Sequence, residues 1–134
     1  MDVDDYFEED LYWGLVNSII NDKNVCIHPY LRMVENGNAF ELKTDHGNTV
    51  AKIHHIDELL NAIKTAPIES IVFHMKDRND FSEWIKNVIG DKKLGHALSY
   101  VKLNDPEKTR MALIAIIDYR IRTLRGNSVN LIFD

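Results

Sequence analysis

Phe73-His74-Met75-Lys76-Asp77-Arg78-Asn79-Asp80-Phe81-Ser82-Glu83-Trp84-Ile85-Lys86-Asn87-Val88-Ile89-Gly90-Asp91 packs one helix stop, two helix starts and the chain's densest cluster of aromatic and polar residues into one stretch. Asp80, followed three residues later by Glu83, has the form of a capping box, in which each side chain satisfies an orphan backbone donor. Phe81, Trp84, Ile85, Val88 and Ile89 then recur at helical spacing, and Gly90 suits the left-handed residue that closes a helix. Asp91 is placed to cap a further helix carrying Leu94, Ala97, Leu98 and Val101 on one face. All of this fixes local structure; none of it prescribes a reaction.

Upstream of the stretch, Ile68, Ile71, Val72 and Met75 follow the same template after Pro67, which can open a helix. The short run Ile71-Val72-Phe73 is also compatible with a strand. Ile56, Leu59, Leu60 and Ile63 predict an earlier helix that stops at Ala66-Pro67. Before it, Ala39-Phe40-Glu41-Leu42-Lys43 alternates apolar and polar residues between two turn signals, Glu35-Asn36-Gly37-Asn38 and Thr44-Asp45-His46-Gly47-Asn48. Thr49-Val50-Ala51-Lys52-Ile53 can return antiparallel, giving a hairpin that needs helices against one face. Residues 25–34, interrupted by His28-Pro29, predict an irregular or edge segment. Residues 4–22 predict a helix, with Phe7, Leu11, Leu15 or Val16, and Ile19 with Ile20 on its stripe.

Downstream, Asp105-Pro106-Glu107 reads as N-cap, first helical residue and acidic first turn. The helix it opens is expected to run to Arg125 and end at Gly126. Met111 to Ile117 is continuously apolar, so more than one face must be covered, by the domain itself or by a dimer or partner seam. Ser128 to Phe133 then reads as a terminal strand or docked tail. The expected fold is α+β: one domain over 1–134, five to six helices around a small antiparallel hairpin, with a core at about 39–102.

The composition of the 134 residues, 45% hydrophobic and 28% charged, belongs to a globular chain. No apolar run approaches the roughly 18 to 20 residues of a membrane span, which speaks against a membrane partner. The acidic start lacks the basic flank of a secretory signal, and a lone Cys26 excludes an internal disulfide; both point to the cytoplasm. Of the net charge of −5, six negative charges lie in the first ten residues, leaving 16 basic against 15 acidic residues elsewhere. Such a balance speaks against nucleic-acid binding.

From Phe40 to about Val101 the chain resembles a small archaeal and bacterial domain family of unknown function. That family reads as a hairpin ending in a turn glycine, a leucine-rich helix, a segment ending F-x-x-H, then N-D-F-x-x-W-[IV]-x-x-V-[IL]-G-[DE]-x-x-L-A. The matching positions are Gly47, the Ile56–Ile63 helix, His74, Asn79-Asp80-Phe81, Trp84-Ile85, Val88-Ile89-Gly90-Asp91 and Leu94-Gly95. Gly95 stands where the family has alanine, which costs up to about 1 kcal/mol of helix propensity unless a neighbour packs there. The aromatic before the histidine is matched by Val72 or Phe73. The resemblance implies no activity.

His74, Asn79, Asp80, Trp84 and Arg78 are the candidate binding residues. If the flanking helices fold back at Lys76-Asp77-Arg78, the imidazole meets Asn79, Asp80 or Trp84, and a carboxylate would fix its tautomer and favour its charged form. The bland alternative is that Asn79 and Asp80 cap a helix, Trp84 fills the core and His74 satisfies a loop carbonyl. His46, His54, His55 and His74 lack metal-ligand spacing, and no nucleophile elbow occurs, so no catalytic residue, metal or cofactor is expected. Arg110, Arg120, Arg122 and Arg125, with Arg78, Lys92 and Lys93, are candidates for a phosphate or an acidic partner, or a solvated rim. The expected function is a non-enzymatic protein-interaction or self-association module, partnered through the 106–125 helix. The alternative is a small-molecule or phosphate-binding domain, enzymatic or not, using His74 and Asp80.

Overall fold

In the computed structural model, the structure describes residues 28–133, with side chains to Gly126. The expected helix over 4–22 lies outside the described residues. Residues 29–123 form one compact unit by their contacts.

Two single turns of 3-10 helix, Pro29–Leu31 and Asn36–Asn38, lead into strand β1 (Phe40–Asp45) and strand β2 (Asn48–Ile53). Helices α1 (Ile56–Thr65) and α2 (Ile68–Met75) follow. Helix α3 (Asp80–Trp84) runs on into a widened turn, Ile85–Ile89, before α4 (Lys92–Ser99) and the long α5 (Pro106–Phe133). The fold is thus α+β, mostly helical, with a two-stranded antiparallel hairpin, as the sequence predicts. Among the described residues, no helix is long and apolar enough to cross a membrane.

The alternation in β1 does what its period requires. Phe40 and Leu42 are buried while Glu41 is exposed, and α2 packs against this strand. The register shifts between Leu42 and Asp45, where the ladder is irregular. Ile53 from β2, Ile56, Leu59 and Ile63 from α1, Ile71 from α2, Phe81 from α3, Ile85 from the widened turn, Leu98 from α4 and Leu113 with Ile117 from α5 meet in one core.

Helix ends carry much of the specificity. The first residue of α1 is preceded by His55, whose Nδ1 accepts from the Glu58 backbone N–H at 3.3 Å, while Glu58 Oε1 accepts from the His54 N–H at 2.7 Å. This is a reciprocal cap built with a histidine, which explains one of the adjacent imidazoles. The other, His54, bonds Asn36 Oδ1 through Nε2 at 3.0 Å.

Two expectations are corrected and one ambiguity is resolved. The N-cap of α3 is Asn79, whose Oδ1 accepts from the Ser82 N–H at 3.0 Å, so the box is not Asp80 with Glu83. Ile71-Val72-Phe73 is helical, as the spacing of Ile68, Ile71, Val72 and Met75 predicts, and the strand alternative drops out. Gly126 does not end α5, and residues 128–133 are not a terminal strand, because the backbone stays helical to Phe133. A single glycine costs a helix about 1 kcal/mol, which a long uninterrupted ladder tolerates.

Candidate functional site

Asn79 serves as the cap of α3 and also reaches out through Nδ2 to the Leu98 carbonyl at 2.8 Å, tying α3 to the end of α4. Moving the cap to Asn79 makes Asp80 the first helical residue and frees its carboxylate. Asp80 Oδ2 lies 2.9 Å from His74 Nδ1 and Oδ1 accepts from Arg78 Nε at 2.9 Å.

The other ring nitrogen settles the tautomer. His74 Nε2 lies 2.9 Å from the backbone nitrogen of Lys43 in β1, and a backbone N–H can only donate. Nε2 is therefore the unprotonated acceptor, and Nδ1–H donates to Asp80. The ring is 4% exposed and sits among Phe40, Phe73 and Phe81, with centroids 4.8, 5.0 and 5.4 Å away. Burial holds its pKa below the ordinary value of a histidine; the Asp80 hydrogen bond and charge oppose this, and Lys43 adds to it. The expected bias toward the charged form is thereby reversed, because desolvation outweighs the carboxylate.

A neutral imidazole whose lone pair is already bonded can take a proton, a metal or a substrate only by giving up the Lys43 N–H. Its protonation would aim an N–H at the Lys43 N–H. What the arrangement does is bridge the free edge of β1 to the start of α3. The bland reading is corrected in two details: His74 satisfies a strand amide, not a loop carbonyl, and Asp80 holds the imidazole instead of capping α3.

Trp84, 7% exposed, packs against Phe40 at 5.8 Å and donates from Nε1 to the Asn38 carbonyl at 2.8 Å. Arg78 is exposed at 78% of its side chain and lies with Asp80 in a cleft of about 330 Å³. His46, Phe73, Lys76 and Asp77 complete that cleft. The structure thus brings His74, Arg78 and Asp80 into one chain of hydrogen bonds and leaves Asn79 and Trp84 beside it, bonded elsewhere.

The arginines of α5 separate into two kinds. Arg110 Nη1 donates to the carbonyls of Ile63 and Ala66, both at 2.8 Å, closing the end of α1. Arg120 grips Asp91 with two bonds of 2.8 and 3.0 Å, and Asp91 in turn caps α4 through the Leu94 N–H. Arg32, unremarked in the sequence, donates to the Val88 and Ile89 carbonyls at 3.0 and 2.9 Å. Those carbonyls are exposed to it by the widened turn, in which the Gly90 and Asp91 N–H groups both reach back to Ile85 and Gly90 adopts φ 91°. Arg122 pairs with Asp118 one turn away on the surface.

With its buried side carrying Leu113, Ile117 and Ile121, α5 turns Met111, Ala115 and Tyr119 outward. Met111 is 66% exposed and Tyr119 is 70% exposed. Among the described residues no three His, Cys, Asp or Glu side chains converge as a metal site would require. No protein-family model, curated protein or solved structure matches this chain.

Proposed function

We propose that this chain is a non-enzymatic, cytosolic protein-interaction or self-association module whose contact face is the outward side of α5. The observation that carries the reading is the pair of large side chains, Met111 and Tyr119, held out of the core at 66% and 70% exposure. Exposed Ala115 lies between them at i+4, so a second helix can approach closely over a small residue while flanked by two large ones. Met and Tyr are among the residues enriched at interface cores, because they offer large adaptable area. The Asp118–Arg122 pair at 2.8 Å gives this face a rim of balanced charge.

The competing reading, a small-molecule or phosphate-binding domain built on His74 and Asp80, has the cleft of about 330 Å³ in its favour. Two features weigh against it. The imidazole has both nitrogens engaged, at 2.9 Å each. The cleft also sets Asp77 and Asp80 beside Lys76 and Arg78, so no net positive field awaits an anion.

A photoreactive phenylalanine analogue at position 115 of the full chain, in the native cells, tests the proposal. The expected result is one adduct of defined mass, to a second copy or to a partner, that disappears when Met111→Glu is added. The same probe at exposed Lys93 gives no such adduct. Identical adduct patterns from both positions, or none from position 115, would overturn the reading.

A further inference from the structure

We infer that the flank of this face is a preformed groove for an acidic peptide segment anchored by one large apolar side chain. The inference rests on reading α5 as the contact face, and it names the chemistry of the partner. The end of α4 and the first turns of α5 enclose a groove of about 380 Å³ with Ala97, Val101, Ala112 and Ile116 among its apolar lining. That volume lies within the range of about 300 to 1,000 Å³ typical of pockets that hold a compact ligand. It accommodates a tryptophan or leucine side chain with its backbone.

Both walls are fixed before any partner arrives. Tyr100, 70% exposed, stands at the lip. Its hydroxyl lies 3.2 Å from His96 Nε2, and the two rings meet edge-on at 5.0 Å. On the other side the Lys102–Asn104 segment is pinned by Thr109, itself only 3% exposed. The Thr109 hydroxyl donates to the Lys102 carbonyl and accepts from the Asn104 N–H, each at 3.2 Å. A groove held in shape this way loses little conformational entropy on binding.

Charge selects the occupant. Lys102 and Lys108 lie on the lining and no carboxylate does. Glu107, beside Lys108 in sequence, is paired with Arg110 at 3.1 Å, and Asp105 is turned to the Lys108 backbone N–H at 3.2 Å as the cap of α5. At physiological salt these two ammonium groups act over a screening length of about 8 Å, enough to choose between acidic and basic residues flanking a buried anchor. Two lysines on a chain of net charge −5 do not attract a long polyanion or an anionic bilayer, so a short peptide with local carboxylates is the partner that fits. Tyrosine is among the residues that carry most binding energy at interfaces, and Tyr100 stands exposed beside this apolar floor.

Fluorescence anisotropy with the full chain and a labelled peptide carrying a central Trp-Leu pair between two runs of Glu tests the inference, against a counterpart with Lys in place of Glu. The expected result is a preference of about tenfold or more for the acidic peptide, weakening as salt rises. The Lys102→Glu, Lys108→Glu double variant should reverse the preference, and a gain of binding to the Lys peptide cannot arise from misfolding. Equal affinity for the two peptides, no binding of either, or a preference unmoved by the charge reversal would overturn it. If the peptides fail while the position-115 probe still yields its adduct, the groove is wrong and the contact face stands; if both fail, both readings fall.

Discussion

Replacing His74 by alanine would remove an imidazole that is 4% exposed and bonded at both nitrogens, to the Lys43 N–H and to Asp80, each at 2.9 Å. Two effects add. The ring leaves a void among Phe40, Phe73 and Phe81, and large-to-small changes of this kind cost about 2 to 5 kcal/mol. The Lys43 amide and the Asp80 carboxylate also lose their partner, at roughly 1 to 3 kcal/mol for a buried group, and less for Asp80, which is 27% exposed and keeps Arg78. A loss of about 3 to 5 kcal/mol is expected, a large share of the roughly 5 to 15 kcal/mol that stabilises a domain.

The sign with pH follows from the depressed pKa. The unfolded chain takes up a proton at His74 near its ordinary value of 6.5, and the folded chain does so only at lower pH. The contribution is therefore full above the unfolded value and is lost as pH falls through it toward the folded one. The groups facing the ring are Asp80, which opposes this, Lys43, which reinforces it, and Arg78, which holds Asp80. Urea unfolding followed by circular dichroism at several pH values, for the wild type, His74→Ala and His74→Gln, measures both effects. The wild type should lose stability on acidification more steeply than either variant. A cost below about 1 kcal/mol for His74→Ala, or identical pH profiles, would refute the reasoning.

Three further outcomes are expected. Arg120→Ala strands the Asp91 carboxylate, whose side chain is 1% exposed, and should cost about 3 to 5 kcal/mol, partly recovered by adding Asp91→Asn, as thermal melts would show. Gly95→Ala gains up to about 1 kcal/mol of helix propensity but sets a methyl 3.0 Å from Lys86 Cβ and Cγ and 3.2 Å from the Ser82 carbonyl. A net loss of about 1 to 2 kcal/mol in urea titration is expected, and a gain would show that α3 and α4 can separate freely. Ser70→Ala removes a fully buried hydroxyl that has no hydrogen-bond partner among the described residues, so stability should hold or rise by up to about 1 kcal/mol; a clear loss would reveal a hidden partner.

Elements with a local cause were legible in the sequence. The hairpin follows from alternation between turn residues, and the starts of α4 and α5 from Asp91 and Asp105. Gly90 was readable because only a left-handed residue closes the turn after Ile89. What failed to show were choices made by distant partners. Asn79 wins the cap of α3 over Asp80 because its amide also reaches Leu98 and Asp80 has His74 to hold. His55 as a cap, Arg32 on the Val88 and Ile89 carbonyls and Lys43 against His74 are pairings with main-chain groups, which leave no residue-type signature. Gly95 looked like a departure from a family pattern and is the place where Lys86 and Ser82 crowd α4. Of the candidate site, the nearness of His74 to Asp80 was foreseeable from the turn at 76–78. The tautomer, which decides what the ring can do, depends on a strand 31 residues away.

A long-range proton–nitrogen NMR spectrum of His74 across pH addresses the claim that this motif is framework. The expected result is a neutral ring with the proton on Nδ1 and a bare Nε2, persisting below the pH at which an ordinary histidine titrates. A proton found on Nε2 at neutral pH, or titration at the value of a free imidazole, would contradict it.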